Sequence, residues 1–278
     1  MGQKSNPNSF HFKKKTSIIF GGSHRSIEYS TILREYLSAS SNLISFFEKN
    51  HCLIKECFFT LSSDKSFITI FISFLILKRL KKKQGRKQKI KVKNSPLFET
   101  TLIVRNLFNV LKKFGHIGSK RIILQNLRRV ALKAQKKRFS VQHSEAKSFL
   151  KSFSKEIYFE SGLLLFCLLN ITRNNASLIS KFIARFFRIF HRTKKINKFL
   201  FFLSKFLQCV EFICLKENLI QGLKFQIKGR FSGSSRSRIR IFEKGCIPLQ
   251  TVVNKIDYSL IHVNTSYGVF GVKVWVFE

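Results

Sequence analysis

The sequence predicts an α+β fold, and three features of its hydrophobic pattern carry the prediction. Apolar residues recur at helical spacing over residues 26–50, and two β-like runs follow over 53–77. In the last third Leu223, Phe225 and Ile227 alternate with Lys224, Gln226 and Lys228, the period of a half-buried strand. With 278 residues and 44% hydrophobic content, the chain is long enough for two domains with cores of their own.

In chain order, residues 1–25 are polar and basic, with Lys4, Lys13, Lys14 and Lys15 ahead of Gly21 and Gly22, and read as an extended basic arm. Ile27, Ile32, Leu33, Tyr36, Leu37, Leu43, Ile44 and Phe47 mark one or two amphipathic helices. Leu53–Leu61 and Phe67–Leu77, separated by the turn-like Ser62–Asp64, form a hairpin. Lys78–Lys93 then carries ten basic residues in sixteen and no acidic one, so it reads as a solvated loop or an RNA-contacting arm. Thr100–Phe114 looks helical, Arg121–Arg138 reads as a strongly basic helix, and Val141–Lys155 is polar, so residues 78–155 are expected to form a basic insertion. Leu163–Ile171 is a short apolar run assigned as a strand; helices are expected over Ala176–Phe190 and on to Leu215. Further strands are expected over Leu223–Lys228, Arg236–Glu243, Ser259–Asn264 and Val269–Phe277.

The charge balance narrows the function. Against 52 Lys and Arg stand 14 Asp and Glu, a net charge of +38. Such a chain repels itself when compact, and a polyanionic partner removes that cost while gaining counterion-release entropy. The partner is therefore a nucleic acid or an anionic membrane. Phe67–Leu77 is too short to span a bilayer, and the polar opening Met1–Pro7 resembles neither a secretory signal nor a mitochondrial presequence. Abundant Phe (32) with scarce Pro (3) points to an A/T-rich, organelle-resident gene.

Catalytic and metal chemistry find little footing. The six cysteines contain no Cys-x-x-Cys; the pairs Cys52/Cys57 and Cys209/Cys214 are read as small buried hydrophobes rather than metal ligands. The seven histidines form no metal-binding pair, and neither a nucleophile elbow nor an acidic cluster can be assembled from neighbouring positions. No enzyme activity, cofactor or metal is expected. Gly115–Gly118 matches the Gly-x-x-Gly loop with which KH domains clamp a nucleic-acid backbone, but it does not directly follow the second strand. Phe199, Phe201 and Phe202 beside Lys198 and Lys205 are read as core in preference to base-stacking platforms. Arg236, Arg238 and Arg240 alternate, which would project three guanidinium groups from one strand face toward phosphate.

The series Gly229–Gly233, Arg238, Gly245, Pro248–Thr251, Ile256–Tyr258 and Thr265–Phe277 resembles, in order and spacing, the carboxy-terminal domain of the small-subunit ribosomal protein three family. Met1–Lys4 with Pro7 and Asn8 resembles that family's amino terminus. The resemblance implies a KH type-two-like amino-terminal domain over 26–172, split by the basic insertion, and a carboxy-terminal α+β domain over 173–278 with a mainly antiparallel sheet. It further implies a non-enzymatic structural role in the head of the small subunit beside the mRNA entrance, with small-subunit rRNA, mRNA and neighbouring ribosomal proteins as partners and no membrane. The family's Ala-Glu-Ile-Ala after the glycines is here Ser234–Ser237, and a Glu is here Arg240, both shifts toward positive charge. The expected RNA-binding residues are Lys4, Lys78, Arg79, Lys81, Lys82, Lys83, Arg86, Lys87, Arg128, Arg129, Arg230, Arg236, Arg238 and Arg240. Arg192, Lys194, Lys195 and Lys198 join them as the best match to the family's mRNA-entrance helix. The expected location is the mitochondrial matrix in preference to the plastid, and the rival reading is a free organellar splicing or maturation factor.

Overall fold

The computed structural model describes residues 18–20, 26–49, 52–61, 67–76, 119–137, 140–172, 175–193, 195–215, 220–251 and 254–277. Two compact units emerge, one within residues 15–126 and one built on 127–278.

In the first unit, helix α1 (Ser26–Lys49) leads into the hairpin β2 (Cys52–Leu61) and β3 (Phe67–Ile76), flanked by the short β1 (Ile18–Phe20) and by β4 (Ser119–Asn126). The sheet order is β1-β2-β3-β4. Pairing of β2 with β3 is antiparallel, with a register shift between Ile54 and Glu56, whereas β1 with β2 and β3 with β4 are parallel. Both hairpin strands are rich in Phe and Ile, side chains that suit a pleated, packed surface. Leu43 and Phe47 of α1 close on Cys52, Ile54, Ile72 and Phe74, with Phe47 and Phe74 ring centres 5.3 Å apart.

The second unit stacks helices on one face of an antiparallel sheet. Its helices are α2 (Leu127–Lys137), α3 (Ser140–Phe149), α4 (Phe159–Ile171), α5 (Ala176–Phe190) and α6 (Lys195–Val210), the last ending in a π-helical turn, Glu211–Leu215. The sheet has the order β6-β5-β8-β7, from β5 (Gly222–Gly229), β6 (Arg238–Gly245), β7 (Ile256–Thr265) and β8 (Gly268–Phe277), all neighbours antiparallel. The α+β expectation and its antiparallel carboxy-terminal sheet hold.

The expected periodicity of α5 is realised: Leu178, Ile179, Phe182, Ile183, Phe186, Phe187 and Phe190 are buried, and the helix packs on β7 and β8. Asp257 of β7 reaches across to accept a hydrogen bond from the Ala176 amide (2.7 Å), satisfying a donor left open at the start of α5. At the α4–α5 corner the buried Asn175 accepts from the Thr172 hydroxyl (2.8 Å) and donates to the Leu168 carbonyl (3.3 Å). Tyr158 lies amid Phe153, Phe186, Phe190, Phe199 and Phe202, its ring centre 4.7 Å from that of Phe202. Phe199 and Phe202 are thus core, as expected, while Phe201 beside them is 55% exposed with the Lys205 ammonium 5.8 Å from its ring centre.

Two local assignments are corrected. Leu163–Ile171 is helix, not strand: α4 is buried almost all round, so it has no polar face to mark its period. Arg121–Arg138 is not one helix, because its first part is β4, drawn into the sheet by pairing with β3, and α2 begins only at Leu127. The polar stretch Val141–Lys155 holds most of α3 and a 3-10 turn, Lys151–Phe153. The stretch 78–155 therefore contributes β4 to the first unit and α2 and α3 to the second. The chain divides at 126/127 where the sequence reading divides it at 172/173, because α4 packs on α2 and α3. Thr100–Phe114 and Gly115–Gly118 lie outside the described residues.

Candidate nucleic-acid interface

Register fixes which residues share an end of the carboxy-terminal sheet. Gly222 pairs with Gly245 and Phe277, and Phe277 with Ile256, at one end; Gly229 pairs with Arg238, and Thr265 with Gly268, at the other. Helix α5 starts at the first end, where Asp257 meets Ala176, and finishes at the second, where His191 and Arg192 meet Ser266. The turn from α5 to α6, the β5–β6 connection and the β7–β8 turn therefore converge.

Within these segments, 191–198, 229–240 and 262–268, there is no Asp or Glu, while Arg192, Lys194, Lys195, Lys198, Arg230, Arg236, Arg238 and Arg240 supply eight cationic side chains. The far end is different: Glu243 pairs with Lys224, and Glu211 with Lys244 (2.9 Å). Positive charge is thus locally neutralised at one end of the sheet and accumulates at the other.

Hydrogen bonds shape this basic end. The Arg188 carbonyl can only accept, so His191 Nδ1 donates to it (2.9 Å), and Nε2 on the other side of the ring is hydrogen-bonded to the Ser266 hydroxyl (3.1 Å). Ser266 Oγ in turn accepts from Arg192 Nε (3.1 Å), tying that arginine to the β7–β8 turn. The Tyr267 ring meets His191 edge-on at 5.9 Å. Arg230 Nε donates to the Ser234 carbonyl (2.8 Å), bracing the β5–β6 connection, where Ser232 (φ 54°) and Gly233 (φ 76°) take left-handed backbone. A side chain at Gly229 would strike the Phe270 ring at 2.2 Å, so the close approach of strand and ring needs glycine there.

Lys195 and Lys198 stand exposed on the first turn of α6, which has no acidic residue. A helix start carries partial positive charge and favours anions, so two lysines there are locally unfavourable by roughly 0.3–1 kcal/mol each at low ionic strength unless an anion is near. The arrangement can chemically hold phosphate groups.

Of the expected binding residues, Arg192, Lys195, Lys198, Arg230, Arg236 and Arg238 come together at this end, and Arg240 lies two residues further along β6. Arg238, Arg240 and Arg236 are exposed, but the strand begins at Arg238, so Arg236 sits in the preceding bend and only two of the three share a strand face. Arg128 and Arg129 lie on α2, a separate element. Lys4, Lys78, Arg79, Lys81, Lys82, Lys83, Arg86, Lys87 and Lys194 lie outside the described residues. Sequence reasoning missed His191, Ser266 and Tyr267 as organisers of the site. The only local signal was the adjacency of His191 to Arg192, since Ser266 lies some 75 positions away along the chain.

Among the described residues no group of three His, Cys, Asp or Glu is gathered to hold a metal ion. Burial pushes the Cys167 and Cys209 thiols up to about 11 and about 12, which makes them poor thiolate ligands. Among the described residues no helix is long and apolar enough to cross a membrane.

Residues 208–276, spanning the four strands of this sheet, match the family model of the ribosomal protein S3 C-terminal domain. Over these residues the chain is similar to the universal S3 family. Similar proteins include the small ribosomal subunit protein uS3c of Thalassiosira pseudonana, 43% identical over 65 residues, which is 23% of this chain and 30% of that protein. The uS3c of Sorghum bicolor is 48% identical over 58 residues, covering 21% of this chain and 26% of its own length. The uS3 of Neorickettsia sennetsu is 41% identical over 64 residues, 23% of this chain and 30% of that protein. The matched stretch spans less than a third of these relatives. Within it lie Arg230, Arg236, Arg238 and Arg240, whereas Arg192, Lys195 and Lys198 precede it.

Proposed function

We propose that the chain is a structural, non-catalytic constituent of an organellar small ribosomal subunit, held in the subunit head by rRNA. The observation that carries this reading is the acid-free basic end of an S3-type sheet, where Arg192, Lys195, Lys198, Arg230, Arg236 and Arg238 meet. Such a surface gains from phosphate contact. Within that role, Arg192, Lys194, Lys195 and Lys198 contribute to the mRNA entrance and grip the incoming strand through its phosphates. Lys4 and the run from Lys78 to Lys87, together with Arg128 and Arg129, serve as further rRNA contacts, and neighbouring ribosomal proteins complete the setting.

The first unit takes the part of the KH type-two-like domain. Helix α1 followed by the β2–β3 pair and a parallel β4 supports that assignment. As to the organelle, the Phe-rich, Pro-poor composition speaks for the mitochondrion, while the plastid-type names of the matched relatives speak for the plastid. Fractionation of the source cells separates the two.

Sedimentation of organellar lysate in magnesium at moderate salt tests the proposal. The chain should comigrate with assembled small subunits. Recovery of most of it in the free fraction would replace the proposal with a dissociable maturation or splicing factor.

A further inference from the structure

One face of α6 stays in solvent: Lys195, Lys198, Phe201 and Gln208 are exposed and Lys205 is half-buried. These positions recur at three- and four-residue steps, the spacing of a single helical face. Lys198 and Lys205 stand one turn before and one turn after Phe201, within roughly 10 Å of helix axis. The neighbouring Phe199 and Phe202 are fully buried, so α6 keeps two rings in the core and holds a third, 55% exposed, among lysines. We propose that Phe201 is a stacking platform for one base of a single-stranded RNA whose phosphates Lys198 and Lys205 hold. The inference rests on the reading of Lys195 and Lys198 as phosphate contacts and extends it by one helical turn, to a contact with a base.

The ring is braced from below and open above. Phe201 packs on the buried Phe153 of the 3-10 turn, ring centres 5.8 Å apart, so a base meets a surface with little side-chain freedom left to lose. The Lys205 ammonium lies 5.8 Å from the centre of the same ring, so a π-face is accessible at the surface. An exposed cation–π contact is weaker than base–aromatic stacking, and an arriving base displaces the ammonium, which then turns to a phosphate. Charge selects the occupant. Residues 191–210 hold no Asp or Glu. The segment around Phe153 adds exposed Lys151 and Lys155 against one carboxylate, the half-buried Glu156. Protein–protein interfaces are depleted of lysine relative to the rest of the surface, whereas single-strand RNA surfaces combine cations with aromatic rings. Every base has a π-face, so the contact favours bases over none without selecting a sequence.

The test uses the full chain and labelled single-stranded RNA decamers at fixed salt, all-uridine and fully abasic. Wild type should bind the uridine decamer about fivefold or more tightly than the abasic one. Phe201→Leu keeps apolar bulk against Phe153 and removes the π-face, so it should cut that ratio several-fold with abasic affinity unchanged. Phe201→Tyr should keep the ratio. Phe149→Leu, at a ring 43% exposed on α3 and set against Phe212, should keep it too. Phe201→Trp adds a reporter to a chain whose one other tryptophan, Trp275, is buried. Its fluorescence should be quenched by the uridine decamer and not by the abasic one, which reads stacking even if Phe201→Leu lowers the melting temperature. An unchanged ratio in folded Phe201→Leu, an equal fall in Phe149→Leu, or quenching without base dependence overturns the proposal. Unchanged RNA binding by Phe201→Leu together with poor incorporation into small subunits also overturns it, and assigns the ring to a protein neighbour. Failure of the underlying reading would show separately, as wild-type chain that does not comigrate with small subunits or as abasic affinity unmoved by Lys195→Gln with Lys198→Gln.

Discussion

Replacing Lys195 and Lys198 with Gln removes two charges from the start of α6 while keeping an unbranched polar side chain at each site. If each lysine holds one phosphate of a single strand, the slope of log affinity against log salt should fall by about 0.7 per contact, or about 1.4 for the pair. Taking 1 M salt as the point where the electrostatic contribution vanishes, the loss at 0.15 M is roughly fourteenfold. The same substitution should leave the fold unharmed or raise its stability by about 0.3–1 kcal/mol per site at low ionic strength, because cations at a helix start are disfavoured. Fluorescence anisotropy of a labelled single-stranded RNA over a salt series, paired with thermal melts, reads both effects. Weaker binding with an unchanged salt slope and a lowered melting temperature would refute the reasoning, for the lysines would then be supporting the fold.

Other outcomes follow from the core and its thiols. Tyr158 is fully buried and its hydroxyl has no hydrogen-bond partner, so Tyr158→Phe should be neutral or stabilise by up to about 1–3 kcal/mol in chemical denaturation; a clear loss would mean that the hydroxyl is satisfied in solution. Asp257→Ala removes the acceptor of the Ala176 amide and should cost about 0.5–2 kcal/mol, with Asp257→Asn closer to wild type; equal losses in both would assign the effect to charge. At pH 8 an alkylating reagent should modify the exposed Cys246 readily while Cys167 and Cys209, their thiols held near 11 and 12 by burial, react only on unfolding. Burial lowers the His143 pKa in the folded chain, so the unfolded state binds the proton more strongly, and stability is full above the ordinary value near 6.5 and declines as the pH falls below it. His143→Gln should flatten that decline, and an unchanged pH profile would contradict the assignment.

The carboxy-terminal sheet was legible because its strands alternate and one face meets water: Lys224, Gln226 and Lys228 mark β5, and Val272, Val274 and Val276 mark the buried side of β8. Helix α4 was illegible for the opposite reason, since a segment buried on all sides carries no period. Strand β4 owes its state to pairing with β3 across a long sequence separation, which no local window contains. The candidate site divides in the same way. Arg238 and Arg240 were readable from their alternation, Arg230 from the family-like series Gly229–Gly233, and Arg192, Lys195 and Lys198 from a charge cluster. What gathers them, the contact of Arg192 and His191 with Ser266, belongs to tertiary structure.

The central claim is that the basic end of the S3-type sheet faces RNA within an assembled small subunit. Ultraviolet crosslinking of purified small subunits, followed by mass spectrometry of nucleotide-bearing peptides, tests it most directly. Crosslinks should fall within residues 191–198, 229–240 and 262–268 and be sparse around Lys224, Glu243 and Lys244, where the charges are paired. Crosslinks absent from the first three segments, in particles that contain the chain, would contradict the account.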